Sequence, residues 1–163
     1  MKKCFCFDFD DTLATTDCKI IVRDENNFCI GLLTTAQYRS HKKRANDWYD
    51  FSQFDDEHFI HNANPTELMD FAKEVHDEGH DVYVITARSD SVGDAIASWL
   101  MGFKIIPIKI HAVGDDSGKV DIPEEKRKIL MTLSQINDIV YFWDDHKDNI
   151  DAVNDMKIKT YLV

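Results

Sequence analysis

The sequence predicts a three-layer α/β sandwich built on a central, mainly parallel five-stranded sheet, with a β-hairpin flap and a small insertion. Three observations predict it. Short apolar runs rich in Val, Ile and Phe recur along the chain. Between them stand segments with the 3.6-residue apolar period of amphipathic helices. The two kinds alternate, and strands alternating with helices of about 10–15 residues mean βαβ units with parallel pairing.

Lys3 to Phe9 reads as a buried strand, continuous in Cys and Phe and ending in acids. Residues 19–33 read as a hairpin turning at Asp24-Glu25-Asn26-Asn27. From 35 to 63 the chain is polar and rich in His and aromatic residues, and reads as a helix followed by an irregular excursion. Residues 14–63 thus form one large insertion after the first strand, a flap or small cap. After Asn64-Pro65-Thr66, the residues Leu68, Phe71, Ala72 and Val75 fall at i, i+3, i+4, i+7, and Gly79 ends that helix. Asp81 to Thr86 is a strand. Ser89 or Ser91 caps the next helix, whose stripe is Val92, Ala95, Ile96, Trp99 and Leu100. Ile105 to Val113 gives a strand broken by Pro107, and a helix over 123–135 carries Ile129, Leu130 and Leu133. Ile139 to Trp143 is a strand, 147–156 a helix, and Ile158 to Val163 a last strand. With no repeat, low-complexity tract or linker, residues 1–163 read as a single domain of Rossmann-like form.

The 163 residues suffice for one sizeable core, and 44% hydrophobic with 30% charged residues describes a soluble globular chain. No apolar run approaches the roughly 18–20 residues of a membrane span, and acids follow the start too closely for a signal peptide, so a cytoplasmic location is expected. Cys4, Cys6, Cys18 and Cys29 form no C-x-x-C pair, which argues against a disulfide framework. A net charge of −11 opposes non-specific binding to a nucleic-acid backbone. A nucleic-acid end remains a possible substrate, because a bound cation changes the local field.

In open α/β sheets ligands bind beyond the carboxyl ends of the strands. There the sequence places Asp8, Asp10, Asp11 and Thr12 after the first strand, Thr86 and Arg88 after the second parallel one, and Asp144-Asp145 after a later one. So many acids on one rim are costly unless a cation neutralises them. Oxygen-only ligands without His or Cys suit Mg²⁺ shared between carboxylates and a phosphate.

Asp8-x-Asp10-x-Thr12 after a hydrophobic strand, then Thr86, then Asp144-Asp145, resembles in order and spacing the motifs of the haloacid dehalogenase superfamily. The likeness spans residues 4–163 apart from the insertion. The resemblance implies Asp8 as nucleophile, Asp10 as general acid and base, and Thr86 as a hydrogen-bond donor to the phosphoryl group. It implies Mg²⁺ held by Asp8, Asp10 (through its carbonyl), Asp144 and Asp145. Thr12 would touch substrate, and Arg88, just past Thr86, either touches substrate or is solvated. An acid at position 10 marks relatives that hydrolyse or transfer phosphate esters. The family's lysine has three candidates, of which Lys126 shares the helical stripe of Ile129 and Leu130, Lys128 lies about 100° round from Ile129, and Lys119 sits in a Gly-flanked loop. Lys126 ranks first. Asp148 or Asn149 matches the family's later acidic or amide position, or caps the helix over 147–156.

Other patterns carry less. His76 and His80 do not form H-E-x-x-H, and the stretch 114–119 is one residue short of a phosphate loop. The basic residues Arg39, Lys42, Lys43 and Arg44 form a solvated face or recruit phosphate, and Trp48, Tyr49, Phe51 and Phe54 form a small core or stack on a base. Mg²⁺-dependent phosphate monoester hydrolysis through an aspartyl-phosphate is the expected activity. The body is similar to the phosphatase domains of polynucleotide kinases and to small viral and bacterial phosphatases, and the expected substrate is a nucleotide or a 3′-phosphate nucleic-acid end. A sugar phosphate, a phosphotransferase and a catalytically silent binding module are the alternatives. No membrane and no obligate protein partner is expected.

Overall fold

The computed structural model describes residues 2–115 and 117–163; position 116, inside the stretch 114–119 weighed as a phosphate loop, lies outside them. The first half of the chain holds β1 (Cys4–Phe7), β2 (Ala14–Thr15), β3 (Ile20–Arg23), β4 (Cys29–Leu33), α1 (Thr35–Ser40), β5 (Trp48–Asp50), α2 (Glu57–His61), β6 (Asn64–Pro65) and α3 (Leu68–Asp77). There follow β7 (Asp81–Ser89), α4 (Gly93–Gly102), β8 (Lys109–Gly114), α5 (Ile122–Ile136), β9 (Val140–Asp144), α6 (Lys147–Asp151) and β10 (Ile158–Leu162).

Alternation along β1 builds two cores at once. Successive side chains of a strand point to opposite faces. Phe5 and Phe7 join the residues of α3 and α4, whereas Cys4 and Cys6 join Leu130, Leu133 and Ile150 of α5 and α6. β9 does the same with Tyr141 and Trp143 on one side and Val140 and Phe142 on the other. The sheet order is β10-β9-β1-β7-β8, and every pairing in it is parallel. This is the expected three-layer sandwich. Helices cover both faces, as a parallel sheet requires. All four cysteines are free thiols, and no helix among the described residues is long and apolar enough to cross a membrane.

Within 14–63, the hairpin β3–β4 gains a third strand, β5, on the far side of β3. At the base, β2 pairs antiparallel with β6, and the Thr66 amide donates to the Leu13 carbonyl. Sequence periodicity missed β5 because three residues are too few to show an alternation. The start of α1 had a legible signal, since Thr34 and Gln37 form a capping box.

Several boundaries move for local reasons. The strand expected from Ile105 begins only at Lys109, beyond Pro107, which lacks an amide for the ladder. The helix expected to reach 156 ends at Asp151, and Arg127 of α5 takes the Ala152 carbonyl. Neither Ser89 nor Ser91 caps α4, whose N-cap is Val92. Their hydroxyls turn instead to each other and to Asp55. Gly79 does end α3, with φ of +83° and its amide on the His76 carbonyl.

Candidate active site

The strand alternation that builds the cores also aims the acids. Asp8 follows the Cys4–Cys6 row and Asp144 the Val140–Phe142 row, so both carboxylates lie on the α5 side of the sheet. From α5, Lys126 reaches them at the i−4 position to Leu130 and i−7 to Leu133. Its Nζ donates to Asp8 Oδ1 and to Asp144 Oδ2, each at 2.7 Å. All three residues are buried, Lys126 to 1% exposure. Burial pushes the Asp8 carboxyl well above the usual carboxylate range; the Lys126 cation opposes this, while Asp144 and Asp10 add to it. Burial also works against the Lys126 cation, and the two carboxylates outweigh it, so its pKa is raised. Lys128 is spent on Glu125 at 2.6 Å and Lys119 is exposed.

Asp145 completes a cluster. One oxygen each from Asp8, Asp144 and Asp145 lie within 4.8 Å of one another. The donor set is oxygen alone, and Asp144 and Asp8 are buried, which fits a hard divalent cation. The Asn149 side-chain amide, expected as either a cap or a site residue, donates to both oxygens of Asp144 at 3.0 Å and so fixes that carboxylate. Asp148 points outward, with its side chain 74% exposed.

Asp10 stands apart from this cluster and is gripped by Arg88. Nε and Nη2 of Arg88 donate to the two carboxylate oxygens at 2.9 and 2.8 Å, a bidentate pair. Arg88 also donates to the Phe54 carbonyl at 2.6 Å, and its guanidinium lies 5.0 Å from the Phe54 ring centroid. Its exposure is only 3%, so the structure places it behind Asp10 instead of on the open side. Thr86 is fully buried, and its hydroxyl accepts from the Arg88 amide at 3.2 Å. Thr12 is also fully buried; its carbonyl accepts from the Thr66 hydroxyl, and its own Oγ1 has no partner among the described residues.

Besides the Phe54 carbonyl on Arg88, the insertion touches this rim through α1. Thr35, at the first turn of α1, donates to Asp11 Oδ2 at 2.7 Å, and Arg39, near its end, donates to Asp145 Oδ2 at 2.5 Å. Asp11 itself sits at φ of +56° in the turn after β1, a conformation Asp tolerates better than most residues.

The architecture recurs among solved structures. No protein-family model matches the sequence, and no curated protein matches it. Solved structures do. A chain of the Pnkp1/Rnl/Hen1 RNA repair complex superposes with a TM-score of 0.60 at 11% identity over all of this chain, which spans 42% of that longer one. The HAD domain of effector protein Lem4 from Legionella pneumophila, an inactive mutant, gives 0.51 at 12% identity, covering all of this chain and 86% of that one. A mutant HAD family enzyme from Bacteroides thetaiotaomicron, complexed with magnesium and inorganic phosphate, gives 0.50 at 15%, covering 99% and 93%. The fold is the one seen in these HAD structures.

Within that fold the three motif-bearing strands are neighbours, β9-β1-β7, and Asp8, Thr86 and Asp144 end up at one edge although 58 residues separate Thr86 from Asp144 in the chain. Thr35 is the rim residue that sequence reasoning missed. Asp11 was placed at the strand end without a role, and Arg39 was read only as part of a basic face that is solvated or recruits phosphate.

Proposed function

We propose that this chain is a Mg²⁺-dependent phosphate monoester hydrolase that works through a phosphorylated Asp8. The supporting observation is the convergence of Asp8, Lys126 and Asp144 at the carboxyl ends of β1 and β9, with a third acid, Asp145, alongside. Asp8, Asp144 and Asp145, with the Asp10 main-chain carbonyl, would hold the cation, which when bound neutralises charge on the phosphoryl oxygens.

The residues divide the work. A carboxylate oxygen of Asp8 attacks phosphorus while the bond to the ester oxygen breaks. Asp10 donates its proton to that leaving oxygen and, as a carboxylate, then takes a proton from the water that attacks the phosphoaspartate. Inorganic phosphate leaves and Asp8 is restored. Lys126 compensates charge on Asp8, and the Thr86 hydroxyl orients the phosphoryl group. Arg88 acts through Asp10 by holding both of its oxygens. The substrate class we favour is a nucleotide or a nucleic-acid-end phosphate, with which the place of one structural neighbour in an RNA repair complex agrees.

Phosphate release from an aryl phosphate, nucleoside monophosphates, sugar phosphates and 3′-phosphorylated oligonucleotides, with and without Mg²⁺, tests the reading. Turnover that requires Mg²⁺ and disappears in Asp8→Asn is expected. Metal-independent release, or release that survives Asp8→Asn, would refute it.

A further inference from the structure

Beside the carboxylates lies a cavity of about 370 Å³, a size suited to a small-molecule ligand, lined by Tyr38, Arg39, His41, Tyr49, His146 and Asp148. Four of these come from the insertion, from α1 to β5, and two, His146 and Asp148, from the N-cap and first turn of α6. Arg39 joins the two walls through Asp145, which belongs to the carboxylate cluster. The cavity therefore opens beside the position where a phosphoryl group would be bound.

Its walls are ring faces and edges held in place. Tyr38 and Tyr49 pack edge to face with centroids 4.9 Å apart. The Tyr49 hydroxyl donates to the His41 carbonyl at 3.2 Å and meets His41 Nδ1 at 2.9 Å. Phe51 closes the back of the pair, 5.4 Å from the Tyr38 centroid. Rings locked this way lose little freedom when a planar group packs on them. Around them stand His146, Arg39 and Asp148, which can hydrogen-bond the edge of such a group. The charges matter as much. Arg39 is the cation of the lining and is already paired with Asp145, while Asp148 adds a carboxylate. A second phosphate would find no unpaired Lys or Arg among the described lining residues, whereas a neutral ring needs none.

Resting on the phosphatase reading above, we propose that this cavity receives the base of a nucleoside monophosphate, so that Tyr38, Tyr49 and Arg39 set the substrate preference of the site. A phosphoryl group at Asp8 departs in line, with its ester oxygen directed away from the nucleophile. The insertion then serves as the wall against which the leaving nucleoside is recognised, by stacking and edge contacts instead of by charge.

The test has two independent parts. Calorimetric titration of adenosine, guanosine, cytidine and uridine into the wild-type chain reads the cavity alone, without any turnover. Binding of at least one nucleoside is expected, weakened about tenfold in Tyr38→Leu and retained in Tyr38→Phe, which keeps the ring. Steady-state kinetics then compare nucleoside monophosphates with glycerol phosphate, a sugar phosphate and a 3′-phosphorylated oligonucleotide. In Tyr38→Leu the KM for the preferred nucleotide should rise about tenfold with a much smaller change in kcat, erasing its advantage over glycerol phosphate. Brisk turnover without nucleoside binding, or a preference for the sugar phosphate or the oligonucleotide, overturns the assignment while leaving the phosphatase reading intact. Nucleoside binding that depends on Tyr38 without phosphate release from any compound would do the reverse.

Discussion

Lys126 is the residue on which the site's electrostatics turn. It satisfies two buried carboxylates at once, and removing it leaves both uncompensated. Breaking a buried pair from one side costs about 3–5 kcal/mol. Lys126→Met should therefore lower unfolding free energy by that order in urea titrations, abolish phosphate release, and recover part of its stability when Mg²⁺ is added. Arg88 makes a different case, because it holds Asp10 by two parallel bonds. Positioned proton transfer contributes about 10²–10⁴-fold to such reactions. Arg88→Met is expected to reduce kcat about 100-fold with little change in KM. Arg88→Lys should rescue poorly, since one ammonium cannot reproduce the fork. Recovery of full kcat in the lysine variant would show that charge alone suffices.

Among the elements, the β7–β8 pair depends on a close backbone approach. A Cβ built on Gly114 would stand 1.9 Å from the Ala87 carbonyl oxygen, at the register shift between Thr86 and Ser89. Backbone cannot give way there as a flexible side chain could. Gly114→Ala should cost about 3 kcal/mol in urea unfolding and disturb Thr86 with it. The insertion sheet has its own pH dependence. Burial works to raise the Asp50 carboxyl, but hydrogen bonds from Ser52 and the Arg23 guanidinium outweigh it and hold its pKa below the usual value. A carboxylate depressed in the folded state stabilises above its unfolded pKa of about 3.9 and loses that contribution as pH falls through the folded pKa. Arg23→Met should thus be less stable than the wild type near neutral pH, with the difference shrinking in acid below the ordinary carboxylate range. Paired urea titrations at the two pH values measure it.

For the whole molecule, the governing fact is a net charge of −11 with three carboxylates drawn into one cluster. A ligand that binds only the folded state stabilises it by mass action, about 2.7 kcal/mol at one hundred times Kd. Mg²⁺ should therefore raise the melting temperature beyond what NaCl of equal ionic strength achieves, and Asp144→Asn should remove the excess. Equal shifts from both salts would mean screening without a site.

Much of this was legible in the sequence because it is local. Short apolar runs and period-3.6 patterns identified the five strands of the sheet and the helices over it. Acids crowded at the carboxyl ends of strands singled out Asp8, Asp10 and Asp144 as candidates, and helical phase ranked Lys126 above Lys128. The tertiary structure alone decided the partnerships. Lys126 meets Asp8 across 118 residues, Arg39 meets Asp145 across 106, and Arg88 turns to Asp10 across 78. It also chose Asn149 over Asp148 as the residue touching Asp144, and folded the insertion's rings into a cavity wall. Periodicity tells which way a side chain faces along its own element. What it meets there depends on how distant elements pack, and spacing along the chain carries no record of that.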